Sequence, residues 1–224
     1  MQAVIFDWDG VVIDSSAQHE RSWELLAAER GLTLPRNHFK QGFGKKNQRI
    51  IPDILGWSHD PAMIDELGHR KEELYRVLVR ESGVVVLPGA RELLSALIEA
   101  GIPAAVGSST PRKNLEAIFA ATGLDRFFQA VVCGDDVHHG KPAPDVFLQA
   151  ADRLKTPAGA CLVIEDAHVG IQAARAAGMP VLAVATTHPL GELTSATAAV
   201  SSLEETNPPF LHSVWRLAGD RPRA

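Results

Sequence analysis

Two aspartates separated by one residue, Asp7 and Asp9, stand in the segment AVIFDWDGVVIDSS. The preceding run, Ala3 to Phe6, is apolar and β-favouring, so it reads as a buried strand. Residues i and i+2 of a strand project to the same side. Both carboxylates are therefore expected in one cleft, with Trp8 pointing the other way. Gly10 follows and lets the chain turn. Two neighbouring carboxylates repel, and burial makes the repulsion worse. A divalent cation between them would relieve it, and hard oxygen ligands suit Mg²⁺. The plainer alternative is a strand-end turn carrying two solvated acids.

Three later segments add chemistry in a fixed order. AAVGSST (Ala104 to Thr110) reads as a strand ending in small hydroxyl residues, Ser108 and Ser109 among them. GKPAPD (Gly140 to Asp145) sets Lys141 in a Gly/Pro-rich turn before a helix. CLVIEDAHVGIQAARAAGM (Cys161 to Met179) reads as a strand ending in Glu165-Asp166, then a helix. Each motif has an ordinary alternative: a helix cap at Ser108-Ser109, a solvated surface lysine, an N-terminal cap at Glu165-Asp166. Each falls at the C-terminal end of a strand or in the loop after it.

The elements that must position these groups follow from the pattern. From residue 84 onward strands and helices alternate: helix Pro88–Ala100, strand Pro103–Gly107, helix Arg112–Ala121, strand Ala130–Val132, helix Asp145–Leu154, strand Cys161–Ile164, helix Val169–Ala177, strand Val181–Val184. That rhythm predicts an α/β fold, a doubly wound parallel sheet with helices on both faces. Ligands in such sheets bind beyond the carboxyl ends of the strands, which is where the four motifs fall. Residues 15–83 lack a good strand and carry helical patterns instead. Ser22 to Gly31 ends in a C-terminal glycine, Asn47 to Trp57 contains Pro52 as a kink or boundary, and Asp60-Pro61 opens a long helix. The expected organisation is a catalytic core of residues 1–14 and 84–224 and an inserted all-helical cap of residues 15–83.

Composition bounds the partners. The 224 residues are 46% hydrophobic and 22% charged, with net charge −5. That is ordinary for a globular protein with a sizeable core, and it argues against a nucleic-acid or anionic-membrane partner. A phosphate substrate would need locally placed cations. Cys133 and Cys161 both fall in or beside predicted strands and read as buried thiols in a reducing cytosol. No signal peptide and no run of transmembrane length is expected. The chain is read as a cytoplasmic monomer.

Asp7 and Asp9, Ser108, Lys141 and Glu165-Asp166, in that order, resemble the four motifs of the haloacid dehalogenase superfamily of phosphotransferases. Ala17, His19, Arg21 and Trp23, the Lys71–Tyr75 spacing, Leu87-Pro88-Gly89 and the tail Phe210 to Trp215 extend the resemblance to its β-phosphoglucomutase-like phosphatases and mutases. The resemblance implies Asp7 as a nucleophile forming an aspartyl-phosphate and Asp9 as general acid, then base. It implies Mg²⁺ as cofactor, held by Asp7, the Asp9 carbonyl and Asp166, with Glu165 in or next to the ligand set. Lys141 and Ser108, with turn amides after it, would meet the phosphoryl oxygens. In the helical insertion it points to His19 and Lys71, and the loop carrying Gly44 and Lys45 is expected to face the substrate. Ser109 joins this set.

Departures choose between hydrolase and mutase. A mutase by this resemblance would carry a lysine at 111 and an arginine at 47, where this chain has Pro111 and Asn47. The expected function is thus a Mg²⁺-dependent phosphomonoester hydrolase acting on a small phosphorylated metabolite, a sugar phosphate. The alternatives are a β-phosphoglucomutase-type transferase, a dehalogenase, which would not need Asp9, and a non-enzymatic phospho-receiver module. A receiver would be shorter, lack the helical insertion and carry its acidic pair at the N-terminus.

Overall fold

The computed structural model describes residues 1–42 and 45–219. Along the chain lie β1 (Ala3–Phe6), β2 (Ile13–Asp14), α1 (Ser16–Arg30), α2 (His38–Gly42), α3 (Asn47–Ile50), α4 (Pro61–Ser82) and β3 (Val85–Val86). There follow α5 (Ala90–Glu99), β4 (Ala104–Gly107), α6 (Arg112–Thr122), β5 (Ala130–Val132) and α7 (Asp145–Arg153). The chain ends with β6 (Cys161–Glu165), α8 (His168–Ala176), β7 (Val181–Val184), β8 (Ala198–Val200) and α9 (Pro208–Gly219). Residues 1–14, 85–112 and 123–224 form one compact unit, and residues 15–84 with 113–122 form another. Most of α6, expected with the core, thus groups with the helical unit.

The first unit is built on a six-stranded sheet in the order β5-β4-β1-β6-β7-β8, every pair parallel. The chain runs from β1 outward through β4 and β5, then returns to the other side of β1 for β6. Strand order therefore reverses at β1, which creates the crevice used by doubly wound sheets. Strand alternation sets the core. Ala3, Ile5, Ala105, Val163 and Val181 join Phe147, Ala150, Ile171 and Ala174 of α7 and α8 in one apolar cluster. The opposite parity carries Phe6 and Trp8, which meet Phe128 edge-on at centroid distances of 6.0 and 5.9 Å. Trp8 thus lies with Phe6 rather than with Ile5. Cys133 and Cys161 are buried free thiols, and burial pushes the Cys161 thiol up to about 11.

The helical unit packs α1 against α4 around Trp23, Leu26, Ile51, Leu67 and Leu74. Asp60 caps α4 by accepting from the Ala62 amide at 3.0 Å, with Pro61 at the first helical position. Helix α1 closes on Gly31 in the left-handed conformation. Pro52 lies in a π-helical turn, Ile51–Leu55, because its missing N–H cannot continue the regular ladder. No helix among the described residues is long and apolar enough to cross a membrane.

Candidate active site

The first unit brings three carboxylates together at the ends of β1 and β6. Oxygens of Asp7, Glu165 and Asp166 lie within 4.8 Å of one another, and all three residues are buried. Lys141 reaches this group from the loop before α7. Its Nζ stands 2.5 Å from Asp7 Oδ1 and 2.7 Å from Glu165 Oε1, with its side chain only 5% exposed. One ammonium faces three acids, so the cluster carries surplus negative charge. Burial pushes the Asp7 carboxyl up to about 7; the Lys141 charge opposes this, and Glu165 and Asp9 add to it. Burial and the charges of Glu165 and Asp7 raise Asp166 well above the carboxylate range. Lys141 moves up from the ordinary lysine range: burial disfavours its charge, but Asp7 and Glu165 more than offset that.

The two acids of the Glu165-Asp166 pair are held differently. Glu165 Oε2 accepts from the Asp166 and Ala167 amides at 2.8 and 2.7 Å, so this carboxylate is saturated by protein donors. It lies against Gly170, where an added Cβ would fall 1.6 Å from Oε1. The Asp166 carboxylate accepts from the Thr187 hydroxyl. It lies over Gly10, where a Cβ would fall 2.0 Å from Oδ2 and where φ is +84°. Two glycines in separate segments thus make room for two acids.

Asp9 is not in the carboxylate trio. Its Oδ2 accepts from Thr110 Oγ1 at 2.5 Å. Strand β1 ends at Phe6 and Asp9 makes an isolated bridge to Ile13, so the strict i, i+2 pairing of side chains stops there. Ser108 is buried, and its hydroxyl accepts from the Thr110 amide at 3.0 Å; Ser109 is half-buried. The close approach of Gly134 to the Ser109 carbonyl leaves no space for a side chain. Thr110 and Thr187 were not expected from the sequence. Thr110 sits in the AAVGSST segment, so its position was a usable signal; Thr187 had none.

The residues expected in the helical unit form a separate network. Lys71 and Glu72 are buried and paired at 2.9 Å. Lys71 Nζ also lies 2.7 Å from His19 Nδ1, and the His19 ring stacks on Tyr75 at 4.1 Å. Glu72 accepts from the amides of Asn47 and Asn114 at 2.8 and 2.5 Å. Burial alone would raise Glu72, but Lys71, His19 and the Asn47 amide bring it down to about 2. Lys45 is exposed, and Gly44 lies outside the described residues. Arg49 pairs with Asp53 at 3.0 Å. In the first unit Arg112 pairs with Asp136 at 2.5 Å, a carboxylate it shares with Arg153.

A parallel doubly wound sheet with buried acids and a lysine at its strand ends defines a class of α/β enzymes that act on anionic groups. A model of the haloacid dehalogenase-like hydrolases matches residues 1–178. The chain is 35% identical over 204 residues to a 5-amino-6-(5-phospho-D-ribitylamino)uracil phosphatase of Arabidopsis thaliana, covering 90% of this chain but spanning only 54% of that protein. It is 30% identical over 221 residues to a β-phosphoglucomutase of Bacillus subtilis, covering 96% of each. A solved family IA, variant 3 hydrolase of Entamoeba histolytica superposes with a TM-score of 0.87 at 27% identity, covering 96% of this chain and all of that one. The chain belongs to the haloacid dehalogenase-like hydrolases.

Proposed function

We propose that this enzyme is a Mg²⁺-dependent phosphomonoester hydrolase that works through an aspartyl-phosphate on a small sugar phosphate. The observation that carries the reading is Asp7 itself: a buried carboxylate gripped by Lys141 and crowded by two further acids. Such a group is costly to keep charged without more positive charge. The surplus acids fit a hard divalent ion, with Asp7, Asp166 and the Asp9 carbonyl as ligands and Glu165, already saturated by amides, beside them. When bound, Mg²⁺ would lessen the repulsion between the nucleophile and the phosphoryl oxygens.

Each residue then has a task. An Asp7 oxygen bonds to phosphorus as the bond from phosphorus to the leaving oxygen breaks. The Asp9 carboxyl, held by Thr110, gives its proton to that leaving oxygen. The resulting carboxylate takes a proton from water, whose oxygen bonds to phosphorus as the bond to Asp7 breaks, releasing inorganic phosphate. Lys141 and Ser108 donate to the phosphoryl oxygens. His19, Lys45, Lys71 and the Gly44 loop are proposed to select the organic part of the substrate, and Ser109 to assist Ser108. The two relatives are each named for a phosphorylated sugar-like molecule, which supports a sugar phosphate.

The mutase relative favours a second reading, phosphoryl transfer within a sugar phosphate. Against it stand Pro111 and Asn47. Asn47 is spent on Glu72, and of the four cations that could substitute, Lys45, Lys46, Arg49 and Arg112, the two arginines are each paired with an aspartate. The test is an assay on β-glucose 1-phosphate, with and without glucose 1,6-bisphosphate, following glucose 6-phosphate and free phosphate together. Steady phosphate release without primer, lost with EDTA and restored by Mg²⁺, is expected. Primer-dependent glucose 6-phosphate formation outpacing phosphate release would overturn the hydrolase reading. Full activity in EDTA would overturn the metal.

A further inference from the structure

A second cluster of ligating groups lies in the first unit and has no part in the chemistry above. His168 is the first residue of α8, His188 follows β7, and Glu192 ends the short 3₁₀ turn Leu190–Glu192. One donor atom from each lies within 4.8 Å of the others. The two imidazoles face each other at a centroid distance of 4.5 Å, tilted by 47°. His188 Nδ1 and Glu192 Oε2 are 3.9 Å apart, beyond direct hydrogen-bond distance for that pair.

We propose that His168, His188 and Glu192 form a second divalent-metal site, of zinc type, separate from the carboxylate trio. The donor chemistry is the first reason. Two imidazole nitrogens and one carboxylate are the set that zinc takes with a water or other ligand in the fourth position. The trio of Asp7, Glu165 and Asp166 offers only hard oxygens, which suit Mg²⁺. The two sites therefore differ in the ion they prefer. The spacing is the second reason. Bonds of about 2.0–2.1 Å in a tetrahedron put donors about 3.3–3.4 Å apart. Donors within 4.8 Å of one another need to close by at most about 1.5 Å, and Glu192, 59% exposed at its side chain, can supply much of that movement.

The position has a consequence. His168 is two residues beyond Asp166. His188 follows Thr187, whose hydroxyl donates to Asp166, and Thr186 donates to the Gly10 carbonyl. An ion here would tie the start of α8 to the 186–192 segment, and both attachments end at Asp166. The site thus acts as a clasp on the loop that holds this acid. It does not depend on the hydrolase reading.

The test is titration of the full-length protein with Co²⁺, a coloured substitute for zinc, in excess Mg²⁺, with Zn²⁺ calorimetry under the same conditions. One equivalent should bind and give the visible bands of a low-coordinate nitrogen-containing site. His188→Gln and His168→Gln should abolish these bands. Glu192→Gln, on the exposed member, should weaken binding about tenfold or more with the fold intact by circular dichroism. Asp7→Asn should keep the bands, since that residue belongs to the other site. Absence of the bands in wild type, or bands unchanged in His188→Gln and Glu192→Gln, overturns the proposal.

Discussion

The two buried charge clusters of this chain are built from similar residues and differ in balance. In the helical unit, Lys71 and Glu72 pair one to one, and Asn47 and Asn114 satisfy the carboxylate further. Glu72 is lowered to about 2. In the sheet unit, one lysine faces Asp7, Glu165 and Asp166, and Asp7 is raised to about 7. Both clusters are desolvated, so burial alone does not separate them. The difference is whether the fold supplies enough countercharge. A balanced cluster has its charges satisfied by the fold itself. Under the proposed function, a cation and a phosphoryl group complete the deficient one.

The largest expected effect breaks the deficient cluster at Asp7, the proposed nucleophile. Asp7→Asn is isosteric and should cut turnover at least about 10⁴-fold, about 5.4 kcal/mol of barrier. The melting temperature should hold or rise, because a repelling charge is gone. Retention of more than about a hundredth of wild-type activity, a loss under about 2.7 kcal/mol, would sink the assignment.

The balanced cluster should respond in the opposite way. Glu72→Ala leaves Lys71 buried and two amides without their acceptor, so a loss of about 3–5 kcal/mol in unfolding free energy is expected. The double change Lys71→Met with Glu72→Leu should lose much less, since neither charge remains to be desolvated. Chemical denaturation of the three proteins tests this. Equal losses for single and double variants would show that the pair's charges are not what matters.

A smaller effect tests how the acids are seated. Gly170 lies in α8, where alanine would ordinarily add about 0.5–1 kcal/mol. Here its Cβ would fall 1.6 Å from Glu165 Oε1. The carboxylate would have to move off its amide donors, and overpacking of this kind costs about 1–3 kcal/mol. Gly170→Ala should therefore lose stability and, through Glu165 and Lys141, activity. A gain in melting temperature would show that Glu165 has another place to go.

The smallest effect is in pH. Asp7 is raised in the folded state above its unfolded range, so its contribution favours folding at low pH and is lost as pH rises through about 7. Glu72 is depressed, so its contribution is present above its unfolded range and is lost as pH falls through about 2. Metal-free protein should melt higher near pH 5.5 than near pH 8.5, and added Mg²⁺ should narrow that gap. A gap that Mg²⁺ leaves unchanged would place its origin outside the carboxylate trio.

Much of this was legible from the chain alone, for local reasons. Apolar runs of strand length, each ended by Asp7, Ser108 or Glu165-Asp166, locate the sheet and which of its ends carries chemistry, because strand alternation is a local property. Asp60-Pro61 and Gly31 mark helix ends by local capping. Tertiary structure decided which polar groups meet. Thr110 reaches Asp9 across 101 residues, Asn114 reaches Glu72 across 42, and Thr187 reaches Asp166 across 21. Those meetings depend on strand order and helix packing, and no spacing encodes them. The same holds for Gly10 and Gly170, which look like ordinary turn and helix glycines until Asp166 and Glu165 are laid over them. Sequence supplied the acids and the lysine. Only the packed fold decided that the Asp9 carboxylate stands apart from the trio, that Asn47 and Asn114 meet Glu72, and that Asp7 and Glu165 share one lysine, because countercharge in a low-dielectric interior is set by what the fold brings within a few ångströms.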